Sequence, residues 1–366
     1  MNLTKRLSFL LCFLLPVIAI YAELNGGYTY LIVPITVFVI LPLLDLFVGK
    51  DVSNPKDHEF YKLQDDKYFR ILTFAWAIFQ IIFVIWACIQ IALNPHSMIE
   101  LLLFALSVGI ITGAIGITVG HELGHKSTRL EQFLAKMIYM TVCYMHFYIE
   151  HNRGHHVNVS TELDPATSKK NQNFYMYYPK TFFGSILSAW NIEAKRLTKM
   201  NLSVLNYRNE MLWYALITLG FASFLLVISS FIAGTIVWKV LGFFFLQAFI
   251  ATFLLELTNY IEHYGLRRKE ISQGKFEKVS LIHSWNQNFL VSNALLFQLQ
   301  RHSDHHANAS RRYQTLRHIE EAPQLPFGYE VMILIALIPP LWFKIMNPIL
   351  EAWEIKNGME KVNSIS

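Results

Sequence analysis

Six long apolar runs, separated by short polar links, organise this chain: about 7–22, 28–48, 69–93, 98–120, 211–233 and 235–258. Most reach the roughly 20 residues that an α-helix needs to cross a hydrocarbon core about 30 Å thick. The first run is shorter, and Lys5 and Arg6 ahead of it also suit a signal peptide. Asn25-Gly26-Gly27 leads straight into the second run, which favours a helical hairpin in the membrane. Residues 132–149 and 329–346 are apolar too. Lys136 and His146 interrupt the first of these and Pro339-Pro340 the second, so both read as interfacial or half-buried helices.

Charge in the links orients the bundle. Links 23–27, 94–97 and 233–235 contain no Lys or Arg, whereas 49–68 holds Lys50, Lys56, Lys62 and Lys67, and 121–210 is basic throughout. The positive-inside rule then places both termini in the cytoplasm of a multi-pass inner-membrane protein. Composition agrees: 54% of the 366 residues are hydrophobic and only 16% charged, far outside the soluble range. A net charge of +5 follows from cytoplasmic loops and does not point to nucleic acid. The expected fold is an all-α integral membrane protein, six transmembrane helices carrying a cytoplasmic histidine-rich cap. Its organisation is 1–120 with four spans, 121–210 cytoplasmic, 211–262 with two spans and 263–366 cytoplasmic, all one integrated unit.

Nine histidines fall in four groups next to these runs: His121 and His125 in HELGH, His151, His155 and His156 in HNRGHH, His263 in NYIEHYG, and His302, His305 and His306 in RHSDHH. On the orientation above, all nine face the cytoplasm. Neutral imidazole is the commonest protein ligand for transition metals. Nine exceed what one ion uses, since octahedral coordination takes about six donors, so two ions are expected. Residues four apart share a helix face, which lets His121 and His125 grip one ion and gives His151 and His155 the same spacing. Adjacent imidazoles such as His155-His156 point about 100° apart and can serve different ions. His58, His96 and His318 read as surface residues, and His146 and His283 as core or supporting ones.

HELGH also matches the HExxH zinc-protease pattern, but a protease has no use for seven further clustered histidines. Glu122-x-x-His125 is half of a carboxylate-bridged diiron bundle, whose second ExxH is absent near the other groups. A transporter would hold its ligands near the bilayer midplane, and a zinc-binding membrane sensor remains a competitor. Glu122, Glu150, Asp164, Glu262 and Asp304 stand beside the histidines and, with His283, are candidates to orient imidazoles or offset metal charge. Asp164-Pro165 also has the form of a helix start. Imidazole-rich sites leave iron, zinc or copper open. Apolar spans ending at a metal pair suggest a lipid-soluble substrate rich in C–H bonds, whose attack calls for O2 and a redox metal, iron above all.

The wording HELGHK (121–126), EHNRGHH (150–156), NYIEHYGL (259–266) and LQRHSDHHA (299–307) resembles the bacterial alkane 1-monooxygenases, within the membrane fatty acid desaturase and hydroxylase superfamily. LPLLD (41–45), DPATS (164–168), HSWN (283–286) and RRYQTLRH (311–318) agree with them. Relatives that oxidise xylene methyl groups are expected to read HELMH where this chain has Gly124. The resemblance implies a non-haem diiron centre held by the nine histidines, placing one oxygen of O2 on a terminal methyl carbon while the other leaves as water. It implies electrons from rubredoxin, itself reduced by a rubredoxin reductase. The chain shows no GxGxxG nucleotide fingerprint, flavin or haem site, or CxxC pair, and its cysteines are Cys12, Cys88 and Cys143. Lys126, Arg129, Arg153, Arg311 and Arg312 are candidate contacts for the acidic donor. A desaturase, or a hydroxylase of another hydrophobe, is the alternative.

Overall fold

The computed structural model describes Met1 and residues 3–357. Among the described residues six helices are long and apolar enough to span a bilayer: Leu3–Asn25, Gly27–Val48, Lys67–Leu93, Met98–Gly124, Glu210–Ala233 and Lys239–His263. They coincide with the six apolar runs to within a few residues, the sixth starting four residues later and ending five later than its run. Ser97 and Glu100 form a reciprocal capping box at the head of the fourth span. Asp66 and Asn209 accept backbone N–H bonds at the starts of the third and fifth. Leu43, Phe47, Ile78, Leu216, Phe231 and Phe249 lie exposed on the outer faces, where acyl chains replace water as their surroundings.

The fourth span is the most enclosed, with 78% of its most apolar window buried. Its glycines set that position. A Cβ on Gly113 would stand 2.7 Å from the Cα of Ala251 in the sixth span, so only glycine lets the two backbones meet. The first span is also part of the core: Phe9, Cys12, Leu15, Ala19 and Ala22 are buried, and Phe9 packs edge-on against Phe69 and Tyr313. Polar side chains tie the bundle internally. Gln80 bonds Trp76 and Thr141, and Gln247 donates to the Thr141 carbonyl at 2.8 Å, capping a helix end.

Helix Arg129–Thr141 buries Leu134, Ala135 and Ile138 while Arg129, Leu130 and Phe133 stay exposed, as a half-buried helix should. The other apolar stretch is two helices, Tyr329–Ala336 and Pro339–Lys356, the second opened by Pro339-Pro340. Asp164-Pro165 begins a turn rather than a helix. The next helix is Phe174–Lys199, capped by Asn173. A two-stranded hairpin, Glu270–Ser272 with Lys275–Phe276, is the one sheet among the described residues. His96 is not a surface group: its ring meets both carboxylate oxygens of Glu23, at 3.1 and 3.2 Å, with 3% of the side chain exposed.

Among the described residues three helical stretches widen to i→i+5 hydrogen bonding: Thr36–Ile40, Ile111–Ile117 and His151–His155. Pro42 has no N–H for the carbonyl four residues earlier, which accounts for the first. In the third, Gly154 packs so closely on Glu150 that a Cβ would sit 2.8 Å from its Oε1. Wide turns of this kind concentrate at functional sites, and all three border the cavity or the histidines described next.

Candidate metal centre

Both groups of donors form where the fourth and sixth spans end. The fourth span continues to Gly124 and keeps helical dihedrals at His125, so His121 and His125 share a face as their spacing requires. The second stretch departs from the expected pairing. Its wide turn sets His151 with His156, five residues on, their Nε2 atoms 3.0 Å apart, and sends His155 to the other group. Helix His302–Ala307 splits as adjacent residues must, His305 to one side and His302 with His306 to the other. The sixth span delivers His263 from its last residue.

The result is two separate sets able to hold an ion. His121, His125, His151, His156 and His305 form one; His155, His263, His302 and His306 form the other. Within each set the ligand atoms lie within 4.8 Å of one another. Ring nitrogens of His121, His125, His155, His263, His302 and His306 have no hydrogen-bond partner although buried. Burial, reinforced by the neighbouring rings, holds His125, His151, His156, His302, His305 and His306 well below the ordinary imidazole value. These rings are therefore neutral at pH 7 and carry a free lone pair, the form that binds metal. Buried imidazoles whose ring nitrogens converge in two clusters fit two metal ions.

Carboxylates around the rings divide into two kinds. Asp164, on the turn after the second stretch, accepts from His155 Nδ1 at 2.9 Å and from the Thr167 hydroxyl at 2.6 Å, which leaves His155 Nε2 directed inward. Burial alone would raise Asp164, but His155 and those hydrogen bonds bring it below the usual carboxylate value. Glu262 lies 3.2 Å from His302 Nε2 and accepts the Tyr329 hydroxyl at 2.8 Å. His283 acts through its backbone: its carbonyl faces His263 Nδ1 at 3.4 Å, while its ring turns to Ser280 and Glu277. The other carboxylates serve the scaffold. Glu122 pairs with Lys126, and Asp304 with Arg311 and Arg317. Glu150 is enclosed behind the second stretch, where burial, then Asp164 and Glu256, push its carboxyl well above normal. Replacing Asp164 with asparagine is expected to cost roughly 10–100-fold in metal affinity or activity, read as faster metal loss on dialysis against a chelator.

Of the five candidate docking residues, Lys126 is buried, donates to the Ser310 and Arg311 carbonyls and pairs with Glu122, so a partner protein cannot reach it. Arg311 and Arg312 are half-buried and engaged by Asp304 and Glu131. Arg129 and Arg153 are exposed. Glu256 went unnoticed in the sequence. It is fully hydrogen-bonded by Tyr144, Thr181 and Asn259, and its signal was a lone carboxylate inside an apolar run.

A cavity of about 850 Å³, its open mouth included, runs from the histidines into the bundle. Leu15, Val37, Phe38, Ile110, Leu254 and Leu295 line its apolar length, and His121, His151 and His302 its metal end. Ile110 and His121 stand eleven residues apart on one span and both line the cavity.

Residues 95–335 match the profile of the fatty acid desaturase family. The alkane 1-monooxygenase 2 of Alcanivorax borkumensis is 42% identical over 87% of this chain and 81% of its own length. The alkane 1-monooxygenase 2 of Pseudomonas aeruginosa is 42% identical over 91% of this chain and 86% of its own. The chain belongs to the fatty acid desaturase family, in its alkane 1-monooxygenase branch. A xylene/toluene monooxygenase hydroxylase component of Pseudomonas putida is more distant, 30% identical over 68% of the chain and 64% of that protein. The family match covers every histidine of both groups, and the shared core reaches from the fourth span to Ile335.

Proposed function

We propose that this chain is an iron-dependent alkane 1-monooxygenase of the inner membrane, converting a terminal methyl group to a primary alcohol. The observation that carries this reading is the placement of two all-histidine groups at one end of an apolar cavity walled by membrane helices. Relatives named for alkane 1-monooxygenation, alike over most of the chain, support it.

His121, His125, His151, His156 and His305 would hold one iron, and His155, His263, His302 and His306 the other. Bound there, the iron pair would supply the activation of O2 by which one oxygen enters a C–H bond and the other leaves as water, with two electrons and two protons taken up. The chain's own part is positional. An alkane has no polar handle, so Leu15, Val37, Phe38 and Ile110 can only orient it by shape, chain axis along the cavity and one methyl at the histidines. The same apolar wall keeps water from the reacting carbon. Asp164 and the His283 carbonyl hold the Nδ1 of His155 and His263, so that the donor geometry survives turnover.

Electrons on this reading come from rubredoxin, reduced by its reductase and docking at the histidine face, which lies in the cytoplasm with both termini. Of the five candidate contacts, Arg129 and Arg153 are exposed. The test is purified protein with rubredoxin, rubredoxin reductase, NADH and dodecane. Formation of 1-dodecanol with iron in both groups is expected. Zinc in place of iron and no alcohol would favour a sensor. Oxidation of a xylene methyl group or an acyl chain, with every alkane untouched, would favour the other hydroxylase or desaturase reading, for which the 30% identical xylene/toluene relative is the supporting observation.

A further inference from the structure

Three fully buried nitrogen or oxygen atoms of the cavity lining lack a hydrogen-bond partner among the described residues: His121 Nε2, His302 Nδ1 and Glu330 Oε2. The first two belong to the metal groups. Glu330 does not. It stands in the first turn of helix Tyr329–Ala336, where a glutamate ordinarily faces water as an anion. Here it is 4% exposed and lines the cavity beside Tyr329, whose hydroxyl is already given to Glu262.

The other polar groups of that wall are occupied. Thr118 and Thr258 donate to carbonyls one turn back, and Asn259 donates to Glu256. Asp45, whose charge acts on Glu330, accepts the backbone N–H groups of Val291 and Ser292 at 2.8 and 3.2 Å. Burial pushes the Glu330 carboxyl up to about 8, its own backbone N–H partly opposing and Asp45 adding to the rise. At neutral pH it is a carboxylic acid, one donor and one acceptor in an apolar channel. An alkane offers neither group, whereas a hydroxyl offers both.

We propose that Glu330 is a specificity residue of the cavity that binds the hydroxyl of the primary alkanol product. The idea rests on the alkane 1-monooxygenase reading, since it names what the same cavity holds after turnover. The alcohol then leaves the metal end for a polar station on the wall, and product competes with alkane through a contact that alkane lacks.

Difference infrared spectroscopy on the full-length protein in lipid nanodiscs tests this without turnover. Adding 1-dodecanol should shift the stretching band of a protonated carboxyl, a band missing from E330Q, and dodecane should leave it in place. The second arm is kinetic: the ratio of the 1-dodecanol inhibition constant to the dodecane KM should rise roughly tenfold in E330L, the loss of about one hydrogen bond, and much less in E330Q. A wild-type band indifferent to dodecanol, or one ratio for all three proteins, would overturn the proposal. If dodecane is not hydroxylated at all, the enzymatic reading fails by itself, and the infrared arm still reports on Glu330.

Discussion

Alanine at His263 weakens metal retention in one group and cuts alcohol formation by more than about 100-fold, whereas alanine at His125 leaves both groups loaded. This asymmetry follows from donor numbers. The group containing His263 has four histidines, and the one containing His125 has five. Loss of His263 leaves three neutral donors, one short of the four that close a tetrahedral site, so the ion is held more weakly. Loss of His125 leaves four. Changes to groups that only support a ligand already cost roughly 10–100-fold, so loss of His263 should exceed about 100-fold in turnover. Metal analysis of the purified variants checks the first part and 1-dodecanol formation the second. Equal metal loss in both variants would mean that the histidines act as one undivided cage.

Shortening Phe38 to alanine shifts preference toward longer alkanes. Four bulky residues could close a channel between the spans: Phe38, Trp76, Phe79 and Phe104. Only Phe38 lines the cavity. Trp76 is turned aside, its indole N–H given to Gln80, and Phe104 packs on Phe243. Phe38 lies in the wide turn of the second span and shares the cavity wall with Leu15 and Ile110. Apolar pockets discriminate by roughly 10-fold or more per methylene. The kcat/KM ratio of hexadecane to octane should therefore rise by at least about tenfold in the variant. An unchanged ratio, with the protein folded and iron-loaded, would show that the alkane follows another path.

Hydropathy made the six spans legible, because crossing a bilayer demands a length and an apolarity that no loop imitates. The histidine groups were legible as chemistry but not as geometry. Helical spacing put His151 with His155, and the wide turn at that point undoes the pairing. Nothing local marks such a turn except Gly154, which sequence reasoning passed over. Contacts made far along the chain were equally hidden: Tyr329 reaches Glu262 across 67 residues, and His283 helps His263 through a carbonyl that every residue possesses. Lys126 reads as a surface charge in the sequence because burial cannot be read from residue type. Its ion pair with Glu122 is four residues away and could have been suspected.

The histidines at 151–156 and 302–306 each divide between both metal groups, while 121 and 125 serve one and 263 the other. Two short stretches of backbone are thus party walls between neighbouring compartments. Neither wall can slide or turn for the benefit of one ion without moving donors of the second, so the pair shares a single mechanical fate.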